Sequence, residues 1–214
     1  MGKTRLEALS DGVIAIVITI MVLGLEVPHE ATLGALERMA PVLFGYVLSF
    51  VHVGIYWNNH HHLFQAVRAV DGTVLWLNLH FLFWLSLLPF VTAWMGSSGY
   101  AAAPVSLYGG VLFMCAAAYL LLVHRLARRG NRMLALAIGA DRKGWISLLL
   151  YACGVGLGCV RTWMGLAIYV AVALVWFIPD RRIERYVGPA SDSEYPASPA
   201  PPSVKMERYG IPPD

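Results

Sequence analysis

Charged residues in this sequence stand between long apolar stretches and almost never inside them. No Asp, Glu, Lys or Arg occurs from position 73 to 100, and positions 101–123 are equally free of them. A helix needs roughly 20 mostly apolar residues to cross a hydrocarbon layer of about 30 Å. A water-soluble helix that is apolar all round over such a length needs a much larger protein to enclose it. The pattern predicts six transmembrane helices, over about 5–25, 39–64, 73–95, 104–126, 144–160 and 163–178. The expected fold class is therefore an all-α integral membrane protein. Only Arg161 and Thr162 part the last two segments, which predicts a tight helical hairpin. Pro89 predicts a kink in the third helix, and Gly154 and Gly158 a close helix contact in the fifth.

Composition agrees with this pattern. Of 214 residues, 58% are hydrophobic and 14% charged, against about 25% charged in soluble domains. The net charge of +3 needs no nucleic-acid partner, because topology accounts for it. Lys3 and Arg5 precede the first span, Arg68 lies between the second and third, and Arg125, Arg128, Arg129, Arg132, Arg142 and Lys143 flank the fourth-to-fifth loop. Arg181, Arg182 and Arg185 follow the sixth. The opposite loops hold only Arg38 and Arg161, beside Glu26, Glu30 and Glu37. Basic residues mark the cytosolic side, so both termini are expected in the cytoplasm of a cell bounded by this inner (plasma) membrane. The first span is not expected to be a cleaved signal peptide, since Leu25-Glu26-Val27-Pro28 is a poor cleavage site. Cys115, Cys153 and Cys159 are expected as small buried residues. Trp84, Trp94, Tyr100, Trp145, Trp163 and Trp176 are expected as interfacial anchors at span ends. After about Gly188 the chain turns to Pro, Ser and Ala. This divides it into a transmembrane domain over 1–186 and a disordered cytosolic tail over 187–214.

Polar side chains within the spans collect at one depth. Arg5, Ser10 and Asp11 occupy the cytosolic end of the first helix, Trp57, Asn59, His60 and His61 that of the second, and Asn78 opens the third. Such groups are costly in lipid and carry a partner or a task. A shared buried network is expected, with Asp11 accepting from Arg5, an Asn, a His or the Trp57 indole. It can serve as glue between helices, or as a proton relay through Asp11 and the histidines. A metal site at His60, His61 and His62 fits less well, since neighbours on a helix point apart and ligands favour the i, i+4 spacing. Gly12, Ile16, Thr19, Ile20 and Leu23 fall on one stripe of the first helix, with Glu26 near its outer end. The rest of that helix is apolar too, so periodicity leaves packing and pore readings both open. No nucleophile–base pair, phosphate loop or carboxylate dyad stands out, and no enzyme is expected.

The stretch Arg5-Leu6-Glu7-Ala8-Leu9-Ser10-Asp11, followed by an apolar helix, resembles the R-x-x-x-F-S-D signature of the transmembrane protein 175 family of potassium channels. Leu9 stands where the family usually has Phe. The block 56–64 and the third helix, with Asn78 and Pro89, are similar to that family as well, and the likeness spans roughly residues 4–180. The resemblance implies a homotetramer of six-helix subunits in the lipid bilayer, with the four first helices lining a central pore and no conventional filter loop. It implies no cofactor, with K+ as the permeant ion. On this basis Ile16 would form the hydrophobic constriction, Ile20 and Leu23 further apolar layers of the gate, and Thr19 a selectivity ring of hydroxyls. Arg5, Ser10, Asp11, Trp57, Asn59, His60, His61 and Asn78 would hold the pore helix. The rival function is a proton-coupled secondary transporter using Asp11 with His60 and His61.

Overall fold

A computed structural model describes residues 2–67, 69–129 and 142–177. Every regular element among them is an α-helix. They are α1 (Lys3–Leu23), α2 (Leu33–Arg38), α3 (Ala40–Gln65), α4 (Gly72–Ser86), α5 (Leu88–Ser97), α6 (Ala102–Arg129), α7 (Arg142–Val160) and α8 (Thr162–Phe177). Arg68, Arg132 and the expected tail over 187–214 lie outside the described residues, as does the domain boundary at 186.

Five helical segments are long and apolar enough to cross a membrane: Lys3–Leu23, Ala40–Gln65, Gly72–Ser97, Ala102–Arg128 and Arg142–Val160. The sixth apolar helix, α8, has 16 residues; at 1.5 Å per residue it is about 24 Å long, short of the full hydrocarbon thickness. The protein is thus a multi-pass, all-helical membrane protein.

Local chemistry sets the helix ends. The side chain of Thr32 accepts the Ala35 N–H at 3.2 Å and caps α2, a short helix between the first two spans that the hydropathy pattern did not predict. Asp71 caps α4 in the same way, accepting from Val74 N–H at 2.8 Å. The expected kink at Pro89 is a break: the third span divides at Leu87 into α4 and α5. Pro89 has no N–H for the preceding turn, and its ring crowds the carbonyl four residues back. Ser86 and Thr92 hydroxyls donate to the carbonyls of Phe83 and Leu88 at 2.8 and 2.6 Å on either side of the break, as hydroxyls do where a membrane helix is interrupted.

α6 is the most enclosed span and packs against α4, α5, α7 and α8. The main core joins Ile14, Val17 and Met21 of α1 to Phe81, Leu85, Tyr108, Leu112 and Tyr169. A second cluster fills the end of the bundle where α1 begins, here called the base, with Leu6, Leu63, Phe64, Val67, Val74, Leu122 and Leu126. α7 and α8 form the expected hairpin, and Gly154 and Gly158 meet Gly165 backbone to backbone. Two expectations need correction. Cys115 is buried, but Cys153 and Cys159 are exposed, Cys159 although its sulfur lies 3.2 Å from the Ser106 hydroxyl of α6. Trp84 stands mid-span beside the break, packed edge-on against Phe83 and His80, and is no interfacial anchor.

Candidate functional site

The helix α1 has two unlike faces. Leu6, Ser10, Ile14, Val17 and Met21 are buried at spacings of three and four residues, the repeat of one helical stripe. The other side, with Gly12, Ile16, Thr19, Ile20 and Leu23, is open in the single subunit; Ile16 is 57% and Leu23 81% exposed. The Thr19 hydroxyl donates to the Ile16 carbonyl at 2.9 Å. Its hydrogen is spent within the helix, which leaves oxygen lone pairs facing outward.

Two polar contacts at the base fix which face is which. The Ser10 hydroxyl donates to the Leu6 carbonyl at 2.9 Å. Its single hydrogen is thereby used, so it accepts from Asn78 Nδ2, also at 2.9 Å. That orients the amide and leaves Asn78 Oδ1 to accept from His60 Nε2 at 2.8 Å, so this ring nitrogen carries a proton. Ser10, Asn78 and His60 are all buried, and the His60 ring stacks on Phe81 at 5.9 Å. One residue along, Trp57 Nε1 donates to Asp11 Oδ1 at 3.0 Å, on the exposed side. Consecutive helix residues project about 100° apart, so Ser10 reaches α4 while Asp11 reaches α3. The two together clasp α1 at a set rotation.

The expected single network is therefore two contacts, one buried and one exposed. Arg5 is exposed, and neither it nor Asn59 makes a side-chain hydrogen bond among the described residues. His61 stacks on Trp57 at 5.8 Å and accepts from the Gln65 amide at 2.8 Å. His60 and His61 thus bond different partners, while the His62 ring packs edge-on against His61 at 5.7 Å, and no cluster of three or more His, Cys, Asp or Glu suited to a metal occurs among the described residues.

Comparison with known proteins decides the family. A family model described as endosomal/lysosomal potassium channel TMEM175 matches residues 5–89, which contain the whole clasp. A potassium channel of Chryseobacterium sp. (strain P1-3) is 48% identical over 187 residues, covering 86% of this chain and 97% of that protein. The chain belongs to the TMEM175 family. A potassium channel of Streptomyces collinus is 36% identical over 187 residues, 80% of this chain and 90% of its own length. The crystal structure of a lysosomal potassium-selective channel TMEM175 homolog from Chamaesiphon minutus superposes with a TM-score of 0.74 at 26% identity, covering 82% of this chain and 96% of that one. The likeness extends well beyond the TMEM175 family match, across most of the bundle.

Sequence reasoning missed a second buried polar group in the upper bundle. Ser49 lies 2.7 Å from Thr92 and donates to the Tyr108 hydroxyl at 3.2 Å, joining α3, α5 and α6. It also missed Asp71 as a cap, although Asp-Gly-Thr before an apolar run is a helix-start signal. Asn78 carries the clearest prediction about the clasp. Asn78→Leu leaves His60 Nε2 without its buried acceptor, a loss of about 1–3 kcal/mol. Purified Asn78→Leu should lose its folded peak at lower temperature than wild type in size-exclusion after heating; an unchanged profile would detach Asn78 from the clasp.

Proposed function

We propose that four copies of this chain assemble around an axis into a potassium-preferring cation channel, each with six membrane-spanning helices, α8 being the sixth. One observation carries this reading: α1 is clasped so that its Ile16–Thr19–Leu23 stripe is the side left uncovered by its own subunit. The potassium-channel relatives and the potassium-selective structural neighbour support the ion assignment and favour a channel over a proton-coupled transporter. Channel function also leaves no role for an enzyme's catalytic set.

Four Ile16 side chains around the axis form a narrow apolar neck, with Ile20 and Leu23 as further apolar layers. Such a neck stops ions by excluding their water, and widening it opens the path. Thr19 lies between these layers, and its outward lone pairs replace part of the water around a cation. One hydroxyl ring discriminates weakly, so the preference for K+ over Na+ is modest. Ser10, Asp11, Trp57, His60, His61 and Asn78 hold the helix. The base faces the cytoplasm, where Lys3, Arg5, Arg125, Arg128, Arg142 and Lys143 gather. Both termini then lie inside the inner membrane, with residues 1–186 as the channel domain and 187–214 as a cytosolic extension.

Planar-bilayer recording tests the reading. Current should flow under voltage alone, without a pH gradient and without saturating like a carrier. In opposed K+ and Na+ solutions, Thr19→Ala should move the reversal potential towards zero. An unmoved potential would remove Thr19 from selectivity, and absence of any voltage-driven current would overturn the channel.

A further inference from the structure

The buried half of the clasp on α1, the Ser10–Asn78 contact, follows the position of α4, and a carboxylate at the base ties α4 to α6. Asp71 stands at the first turn of α4. Its Oδ1 accepts from Val74 N–H at 2.8 Å, and its Oδ2 accepts from Arg125 Nη2 of α6, also at 2.8 Å. The pair is sheltered: the side chains are 31% (Arg125) and 22% (Asp71) exposed. Val74 and Asn78 are four residues apart and so share one face of α4. Val74 packs in the base cluster with Leu6 of α1 and with Leu122 and Leu126 of α6, while Asn78 bonds Ser10. A helix is stiff over two turns, so a slide or roll of α4 at Asp71 moves the Asn78 amide by a comparable amount.

From this geometry we infer that Asp71 and Arg125 form a latch that sets the rotation of the pore helix through α4. Both are positioning residues that act through α4. The inference rests on the proposed pore, because the rotation matters for conduction only if α1 lines the path. Its elements separate cleanly. Asp71→Asn keeps an oxygen to cap α4 but offers Arg125 a neutral amide in place of a carboxylate. Arg125→Gln removes the charge, and Arg125→Lys restores a cation of similar reach.

The test uses full-length protein in liposomes with Cys153 and Cys159, both exposed, changed to Ser; buried Cys115 stays. Ile16→Cys then reports the neck through its rate of modification by a water-soluble, charged thiosulfonate. Asp71→Asn and Arg125→Gln should each raise that rate by about tenfold, or about 1.4 kcal/mol, and Arg125→Lys should leave it near the parent value. The double variant should be no worse than the more affected single one, because the contact the two share is lost only once. Hydrogen exchange over residues 3–12 should quicken in the same two variants, and this readout does not depend on a pore. Unmodified Ile16→Cys in the parent protein would defeat the pore reading while exchange still decides the latch. Unchanged exchange and modification in Asp71→Asn would overturn the latch, as would additive effects in the double variant. Should Arg125→Gln fail to assemble, Asp71→Asn alone decides the matter.

Discussion

Ile16→Asn is expected to raise potassium flux through liposomes by roughly an order of magnitude or more, the change that removing about 1.4 kcal/mol from a barrier produces. The reason lies in what the side chain contributes on each side of the helix. Toward its own subunit Ile16 contributes little, being 57% exposed while its neighbour Val17 is 3% exposed. In the proposed tetramer, four sec-butyl groups toward the axis would offer a passing cation no oxygen, so the ion would have to keep its water in a space too narrow to hold it. An amide at this position supplies carbonyl oxygens and keeps the neck wet. The fold should survive, since the substitution empties no core site. Val17→Asn is the matching control: one residue round the helix, it buries an unpartnered amide in the main core and should cost stability, not add flux. If Ile16 faced lipid, its Asn variant would insert poorly and conduct no better than wild type, which is the result that would refute its place at the neck.

That contrast between positions 16 and 17 could not be read from the sequence. The apolar length of each span was legible, because a bilayer demands a fixed number of apolar residues whatever their order. Pro89, Gly154 and Gly158 were legible too, since a missing N–H and a missing Cβ act wherever they stand. Rotation was not. A soluble helix marks its buried face by polar residues on the other, but between Gly12 and Leu23 the only polar side chain of α1 is Thr19, so its apolar period offers no contrast. The same blindness hid the exposure of Cys153 and Cys159. The gathering of Ser10, Asp11, Trp57, His60 and Asn78 at one depth was visible, and Trp57 was among the donors expected for Asp11, yet the choice among those donors was not legible. Ser10 and Asp11, adjacent in sequence, serve different helices, and that choice follows from packing at Leu6 and Phe81. The resemblance to the family offered a phase by distance from the Ser-Asp pair, and the stripe it picks out is one that the single subunit leaves open. The short helix α2 escaped notice because six residues held by a Thr32 cap carry no hydropathy period.

Gly165→Ala is expected to destabilise the subunit by about 1–3 kcal/mol, the usual cost of overpacking a filled core. A methyl group there would sit 2.9 Å from the Gly154 carbonyl oxygen and 3.0 Å from the Gly158 Cα. Both are backbone atoms and cannot rotate aside, so α7 and α8 must part. Four residues further along α8, Tyr169 is fully buried and occupies the slot left by two other glycines. A Cβ on Gly154 would lie 2.5 Å from its ring, and one on Gly109 would lie 1.9 Å from its hydroxyl oxygen. That hydroxyl donates to the Val105 carbonyl of α6 at 3.4 Å. Parting α7 from α8 therefore also draws Tyr169 from α6, and α8 is too short to be held in a bilayer by length alone. Gly156 supplies the control, since nothing stands within 4 Å of its would-be Cβ. Gly156→Ala should match wild type or gain slightly from helix propensity. Size-exclusion of detergent-solubilised protein after graded heating compares the two directly. Equal thermal profiles for Gly165→Ala and Gly156→Ala would mean that α7 and α8 do not meet at Gly165, and the sixth helix would need another account of what keeps it in the membrane.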